Sequence, residues 1–307
     1  MDQLRPGIGQ TAFKNAASMA PGQLSNDDRE ALSQIAEQMR GRRTALLTGA
    51  GLSTDSGIPD YRGPAAKPRQ PLTFQEFMAD EPLRRRYWAR NHLGWSFMQQ
   101  AEPNAGHYAA AALERSGHLS GIITQNVDRL HEAAGASNVV DLHGRFDQVV
   151  CLTCETEYSR AFLAIILNEL NPGFLEAVKG IKAAPDADAD LGDEDLITSF
   201  NIARCPLCGG MLKPDFVFFG ENVPKKRVER SFAMLEAAEL LIVAGSSLTV
   251  MSGLRFAKRA AKEKKLVIII NRGETRGDPL ADAKFELGVG ESLSYVAELL
   301  DPDSRNS

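Results

Sequence analysis

Apolar residues first recur at helical spacing at Leu32, Ile35, Ala36 and Met39. Ser25 or Asn26 stands ready to cap this segment, Leu24 to staple it and Gly41 to end it. The continuous run Thr44-Ala45-Leu46-Leu47-Thr48 then reads as a buried strand leading straight into Gly49-Ala50-Gly51. Further apolar runs at 121–124, 139–142, 214–219, 239–244 and 265–270 predict strands, and helical patterns fall at 104–116, 224–237 and 250–263. Such alternation predicts a doubly wound α/β fold, a mostly parallel sheet with helices on both faces. Two stretches break the rhythm. Residues 63–103 hold a Pro-rich loop and a long helix from Arg84 to Gln100, and 149–211 hold every cysteine. They are expected to be insertions that together form a smaller lobe. The sheet domain is then 24–62, 104–148 and 212–300, with a loose extension at 1–23 and a tail at 301–307. Neither internal repeats nor coiled-coil heptads are visible, and a monomer is expected.

Composition narrows the classes of function. Hydrophobic residues make up 43% and charged residues 24%, as in an ordinary globular core. Runs such as Leu266-Val267-Ile268-Ile269-Ile270 are far shorter than the ~20 apolar residues that cross a bilayer, so no membrane association is expected. A formal charge of −5 argues against broad attraction to nucleic acid. Met1 to Gly22 carries neither a secretory apolar core nor a strongly Arg-rich amphipathic pattern. A cytoplasmic location is expected, with the mitochondrial matrix as the alternative.

The cysteines form two pairs, Cys151-x2-Cys154 and Cys205-x2-Cys208, separated by 50 residues. A C-x2-C turn aims both sulfurs at one point, and two such turns complete a tetrahedral thiolate site for zinc. Disulfides and buried free thiols are the alternatives; an intracellular chain disfavours the first and strict pairing the second. Four thiolates leave no open coordination position, so the zinc is expected to be structural. The flanks of the pairs carry few cations, Arg145, Arg160 and Arg204 among them, beside many acids, which disfavours a nucleic-acid-binding zinc module.

Chemistry gathers at the predicted strand ends. Gly49-Ala50-Gly51 closes one strand, where a strand-to-helix turn could offer backbone N–H groups to a phosphate. Thr54 replaces the third glycine of a dinucleotide fingerprint, so the turn alone is also readable as a structural bend. Four more strand ends carry polar or glycine residues: Thr124-Gln125-Asn126-Val127-Asp128, Leu142-His143-Gly144, Gly245-Ser246-Ser247 and Asn271-Arg272-Gly273. Five such ends describe a crevice along one edge of the sheet.

These motifs, in this order, resemble the sirtuins. They are Gly-Ala-Gly-x-Ser-x-x-Ser-Gly-Ile-Pro-Asp-Tyr-Arg, Thr-Gln-Asn-Val-Asp, His-Gly, the paired C-x2-C, Lys-Pro-Asp-x-Val-Phe-Phe-Gly-Glu and Gly-Ser-Ser-Leu, and they span roughly residues 25–300. Tyr61 and the segment Arg-Tyr-Trp-Ala-Arg-Asn at 86–91 resemble the class II branch. The resemblance implies a Rossmann-like sheet with an inserted zinc lobe, NAD as co-substrate, and acyl-lysine proteins as substrates. The activity implied is protein-lysine deacylation, with transfer of the acyl group to ADP-ribose and release of nicotinamide.

Roles follow by matching position. Gly49, Ala50, Gly51, Leu52, Ser53 and Thr54 are implied to cradle the pyrophosphate of NAD. Gly245, Ser246, Ser247 and Asn271 are implied to hold its adenosine half, with Arg272, Gly273 and Val289 on the adenine side. Ile58 and Asp128 fall at the nicotinamide, Tyr61 and Arg62 over the ribose, and Gln125 and Asn126 beside it; Pro59, Asp60 and Val127 are also implied to contact NAD. His143 is implied to be the base that activates a ribose hydroxyl, work that suits an imidazole; Asn126 and Asp128 complete the catalytic group. His92, His107, His118 and His131 lack such context and are expected to be structural or solvated. Val217, Phe218, Phe219, Gly220 and Glu221 resemble the segment that pairs with substrate backbone as an added strand.

Rival readings are open to discrimination. A hydride-transfer enzyme carries an acid about twenty residues beyond its glycine loop, and positions 69–75 offer none. A module that senses NAD without turnover is disfavoured by His143, Asn126 and Asp128 together. Mono-ADP-ribosyl transfer shares the cofactor and most of the residues and stays open. The stretch Asp186 to Asp195 imitates the start of a calcium loop, but its glycine comes one place late and Ile197 replaces the bidentate Glu; a loop beside the site mouth is expected instead. Tyr87 and Arg90 lie three apart on the helix and share a face, where they could recognise an acidic acyl group.

Overall fold

The fold is described by a computed structural model for residues 24–60, 71–179, 181 and 194–301. The N-terminal extension, Tyr61, Arg62, residues 302–307 and the acidic stretch up to Asp193 lie outside the described residues. The strands are β1 (Thr44–Thr48), β2 (Leu119–Thr124), β3 (Val139–Asp141), β4 (Gly144–Cys151), β5 (Glu157–Ser159), β6 (Leu212–Phe216), β7 (Leu240–Ala244), β8 (Leu266–Ile270) and β9 (Ala283–Phe285). The helices are α1 (Asn26–Met39), α2 (Phe74–Ala79), α3 (Glu81–Met98), α4 (Ala105–Arg115), α5 (Leu130–Ala133), α6 (Arg160–Leu170), α7 (Phe174–Ala177), α8 (Glu194–Ser199), α9 (Lys225–Glu236), α10 (Met251–Lys262) and α11 (Val289–Leu300).

Six strands form one sheet in the order β3-β2-β1-β7-β8-β9, with every neighbouring pair parallel. Its central strands β1 and β7 are buried along their whole length because both faces are covered. Side chains alternate between two cores. Leu46, Ile122, Ile242 and Ile268 pack with α1, α4 and α11 on one face. Leu47, Ile123, Val243 and Ile269 pack with α9 and α10 on the other. Of the two candidate caps for α1, Ser25 is the one used: it receives the Asp28 amide at 3.1 Å while the Asp28 carboxylate receives the Ser25 amide at 2.9 Å.

The strand expected at 214–219 departs from the predicted scheme. It is β6, ending at Phe216, and it pairs antiparallel with β4 in a separate sheet of order β5-β4-β6. An apolar run announces a strand but not its partner. Here the chain turns at Gly144 (φ 91°), where a Cβ would overlap the Asp215 carbonyl oxygen, so only glycine lets β6 lie alongside. The small sheet therefore takes in β4 from Gly144 and β6 from Leu212, across the boundaries expected at 148/149 and 211/212. Trp88, Ala89 and Leu93 of α3 share one core with Leu163, Leu167, Phe200, Cys151 and Cys205, so the two inserted stretches pack as one body.

Candidate active site

From β1 the chain winds outward through β2 and β3, then returns to β7 on the other side of β1 and continues to β8 and β9. β1 and β7 flank this switch point, and a crevice lies outside their carboxyl ends. The two glycine turns meet there backbone to backbone. Gly51 N–H donates to the Gly245 carbonyl at 2.9 Å, and Gly49 N–H to that of Ala244 at 3.1 Å. A Cβ on Gly49 would lie 2.7 Å from the Gly245 oxygen, and one on Gly245 (φ 67°) 2.6 Å from the Leu52 nitrogen. Side chains at these positions would wedge the crevice apart.

The crevice opens into a cavity of about 840 Å³, the size range of small-molecule sites. Gly49, Ala50, Gly51, Ser53, Ile58, Pro59 and Asp60 line it from β1, and Gln125, Asn126, Val127 and Asp128 from β2. His143 follows β3, Gly245, Ser246 and Ser247 follow β7, and Asn271, Arg272 and Gly273 follow β8. Leu52, Thr54 and Val289, though described, are not among the lining residues. Leu52 and Val289 are buried in the core beneath, and the Thr54 hydroxyl donates to the Gly51 carbonyl at 3.1 Å.

The polar groups on this wall are mutually fixed. Buried Ser53 donates to Asp128 Oδ2 at 2.6 Å, and Asn126 Nδ2 donates to Ser53 Oγ at 2.9 Å and to the Gly49 carbonyl at 3.1 Å. Asp128 Oδ1 receives the Leu130 amide at 3.0 Å. Gln125 Nε2 reaches Ser246 Oγ at 2.6 Å and so ties the β2 turn to the β7 turn.

His143 stands between the two sheets. Its Nδ1 lies 3.0 Å from the Gln125 carbonyl oxygen, which can only accept, so Nδ1 carries the hydrogen. Nε2 then presents its lone pair to Ser252 Oγ at 2.7 Å. Burial, reinforced by the positive charges of Arg255 and Arg227, pushes the imidazole pKa down to about 4, against a weaker opposing effect of the Gln125 bond. The ring is neutral at physiological pH.

His131 and His107 are sealed beneath the glycine turn, and burial pushes both imidazole pKa values down. His131 Nε2 meets Thr48 Oγ1 at 2.9 Å, and its pKa is pushed down to about 3 by burial and by His107. His107 Nδ1 accepts the Asn104 amide at 3.2 Å, and the Asn104 side chain holds the Leu52 carbonyl at 2.7 Å. These two are structural supports of the turn, and His92, whose Nε2 bonds Asn168 Oδ1 at 2.9 Å, supports the small lobe.

Across the cavity, Val217 through Glu221 line the wall facing α3. The Val217 amide donates to the His143 carbonyl at 2.8 Å, and the Phe74 amide donates to that of Phe219 at 2.9 Å. Phe218 packs on Phe77 and Tyr87 at ring separations of 5.0 and 5.3 Å. Buried Lys213 holds the segment from below: its ammonium bonds the Phe216 carbonyl and lies 3.2 Å from Glu221, whose carboxylate receives the Phe218 amide at 2.8 Å. Tyr87 and Arg90 both reach the same cavity. Nearby Arg86 pairs with Glu194 at 2.6 Å, and Ile197, the residue in place of a calcium-binding Glu, belongs to the small lobe's core.

All four cysteines are free thiols, and their sulfurs lie within 4.8 Å of one another. Separations of 3.5 Å for Cys151–Cys208 and 3.7 Å for Cys154–Cys205 match the edge of about 3.8 Å expected of a tetrahedron with Zn–S near 2.3 Å. The Thr153 amide points at Cys151 Sγ (3.4 Å) and the Tyr158 hydroxyl at Cys205 Sγ (3.1 Å), as partners of thiolates should. The donor set fits one structural zinc ion.

Sequence reasoning did not single out Ser252 or Arg255, and it gave Lys213, the first residue of the Lys-Pro-Asp-x-Val-Phe-Phe-Gly-Glu motif, no role of its own. Ser252 and Arg255 lie within an ordinary amphipathic pattern, and only folding brings them to the site. Among the described residues, no helix is long and apolar enough to cross a membrane.

Comparison with known proteins agrees with this geometry. The family model described as Sir2 family matches residues 49–252. The chain is 51% identical over 272 residues to NAD-dependent protein deacetylase 1 of Mycobacterium avium (strain 104), covering 88% of this chain and 95% of that protein. It is 48% identical over 300 residues to NAD-dependent protein deacetylase 1 of Streptomyces coelicolor, covering 97% and 96%. A solved structure of Sir2 with a p53 peptide and NAD+ superposes with a TM-score of 0.68 at 28% identity, covering 90% of this chain and 99% of that one. The switch-point crevice, the four-sulfur cluster and these matches agree: the chain belongs to the Sir2 family, the sirtuins.

Proposed function

We propose that this protein removes acyl groups from lysine side chains of proteins at the expense of NAD. The observation that carries the reading is that one cavity joins the glycine crevice, a neutral imidazole and the 217–221 segment. Bound NAD supplies an electrophilic ribose carbon with nicotinamide as leaving group. The backbone of Gly49 to Ser53 holds the pyrophosphate at the switch point, and Ser246, Ser247 and Asn271 take the adenosine half. Asn126 and Asp128, locked through Ser53, orient the nicotinamide ribose. His143 takes a proton from a ribose hydroxyl at Nε2, a role that requires the neutral ring and the Nδ1–H tautomer. Val217 to Glu221 receive the substrate backbone as an added strand. The curated relatives named deacetylases and a solved Sir2 structure with a propionylated peptide support this reading.

The test is incubation of the zinc-loaded protein with NAD and an acetyl-lysine peptide. Stoichiometric nicotinamide, free lysine and acyl-ADP-ribose are expected. Nicotinamide release with the ADP-ribose unit attached to protein would favour ADP-ribosyl transfer instead.

For acyl choice, Tyr87 and Arg90, three residues apart on α3 and both lining the cavity, support recognition of a carboxylate-tipped acyl chain. Arg90→Ala should then lose activity selectively on succinyl- and glutaryl-lysine peptides relative to acetyl-lysine. Equal activity of both proteins on all three removes this assignment.

A further inference from the structure

We propose that Ser252 is a catalytic residue, a relay that passes the proton from the ribose hydroxyl to His143. The inference rests on His143 being the base. Both imidazole nitrogens are already engaged: Nδ1 by the Gln125 carbonyl at 3.0 Å and Nε2 by Ser252 Oγ at 2.7 Å. A proton bound for Nε2 must therefore travel through the serine hydroxyl or displace it.

The local structure favours passage through it. Ser252 lines the same cavity as Gln125, Asn126 and His143, and it is the second residue of α10, whose first turn is held by Gly253 and Leu254 amides on the Val250 carbonyl. The next residue fixes that turn against the β2 end, because a Cβ at Gly253 would collide with the Gln125 side-chain amide. Ser252 therefore cannot retreat as a body from the imidazole. A hydroxyl has one proton to give and two lone pairs to receive another. The O–H bond of the ribose hydroxyl breaks and its proton goes to Ser252 Oγ. The Ser252 proton goes to Nε2 in the same event, so the serine is regenerated and imidazolium forms. The groups facing this imidazolium are cations: Arg255 from α10 and Arg227 from α9. Arg227 is itself paired with Asp215. Proton return after the reaction is accordingly favoured.

The test compares Ser252→Ala, Ser252→Thr and His143→Ala. Expected is a roughly ten- to hundred-fold loss of kcat for Ser252→Ala, with NAD affinity by calorimetry within about two-fold of wild type. Ser252→Thr, which keeps the hydroxyl, should recover most of the rate. A proton inventory in mixed light and heavy water should be bowed for wild type and linear for Ser252→Ala. In the ligand-free protein, nitrogen NMR should show the His143 Nε2 resonance moving downfield in Ser252→Ala while Nδ1 stays. Equal or faster turnover of Ser252→Ala, or an unmoved Nε2 resonance, overturns the relay while leaving His143 as base. An active His143→Ala overturns the base itself.

Discussion

The parallel sheet and the small lobe each bring turns together to make a binding site, but they use opposite parts of the residue. At the switch point the site is made of backbone: Gly49, Gly51 and Gly245 are in contact because they have no side chains. It rests on two extensive apolar cores, one on each face of the sheet. In the small lobe the site is made of side chains, and Cys151 and Cys205 are themselves members of that lobe's modest core. A zinc ion held by these sulfurs would be part of that packing. The contrast predicts that one region holds its ligand on a scaffold already folded, whereas the other is folded by its metal.

Metal removal is the strongest way to break that contrast. Structural zinc contributes apparent folding free energies of roughly 10 kcal/mol, so chelation or Cys205→Ser should unfold the small lobe first. Both tryptophans of the chain, Trp88 and Trp95, lie in α3 and report on that lobe. A red shift of tryptophan fluorescence at a chelator concentration that spares most far-ultraviolet circular dichroism is expected. A single transition by both probes would mean that the two regions fold as one.

Next in size is His143→Ala. Loss of a general base costs ~10²–10⁴ in rate, whereas the side chain contributes to neither core, so melting temperature should move by only a degree or two. A large drop in melting temperature would recast His143 as a strut between the sheets.

Smaller again is Gly245→Ala. The left-handed backbone costs an alanine ~1–2 kcal/mol, before the 2.6 Å approach to the Leu52 nitrogen is relieved. NAD affinity should fall at least tenfold by calorimetry while tryptophan fluorescence stays unchanged. Unaltered affinity would show that the crevice is not a backbone-built site.

The smallest effect is on acid stability. Burial pushes His131 down to about 3, and His92 and His143 to about 4. Each depressed histidine binds its proton more readily when unfolded, so its contribution is complete above pH ~6.5 and is lost as pH falls toward the folded value. Urea midpoints should therefore drop between pH 7 and pH 5. His131→Gln should remove up to about 1.4 kcal/mol of that loss per pH unit. An unchanged slope would place His131 in water.

Local pattern alone determined a good deal of this protein. The strands β1, β2, β3, β7 and β8, the helices α1, α4, α9 and α10, the four-cysteine set and the polar strand ends all follow from short-range periodicity and spacing. Those features are legible because a strand's alternation, a C-x2-C turn or a glycine turn is decided within a few residues. Tertiary structure decided the rest. The run at 214–219 looked like another parallel strand, yet pairing with β4 across Gly144 put it in a separate sheet. Ser252 is separated from His143 by 109 residues and carried no local signal. Hydrogen-bond partners across such distances are chosen by how the layers stack, and no window of sequence contains that choice.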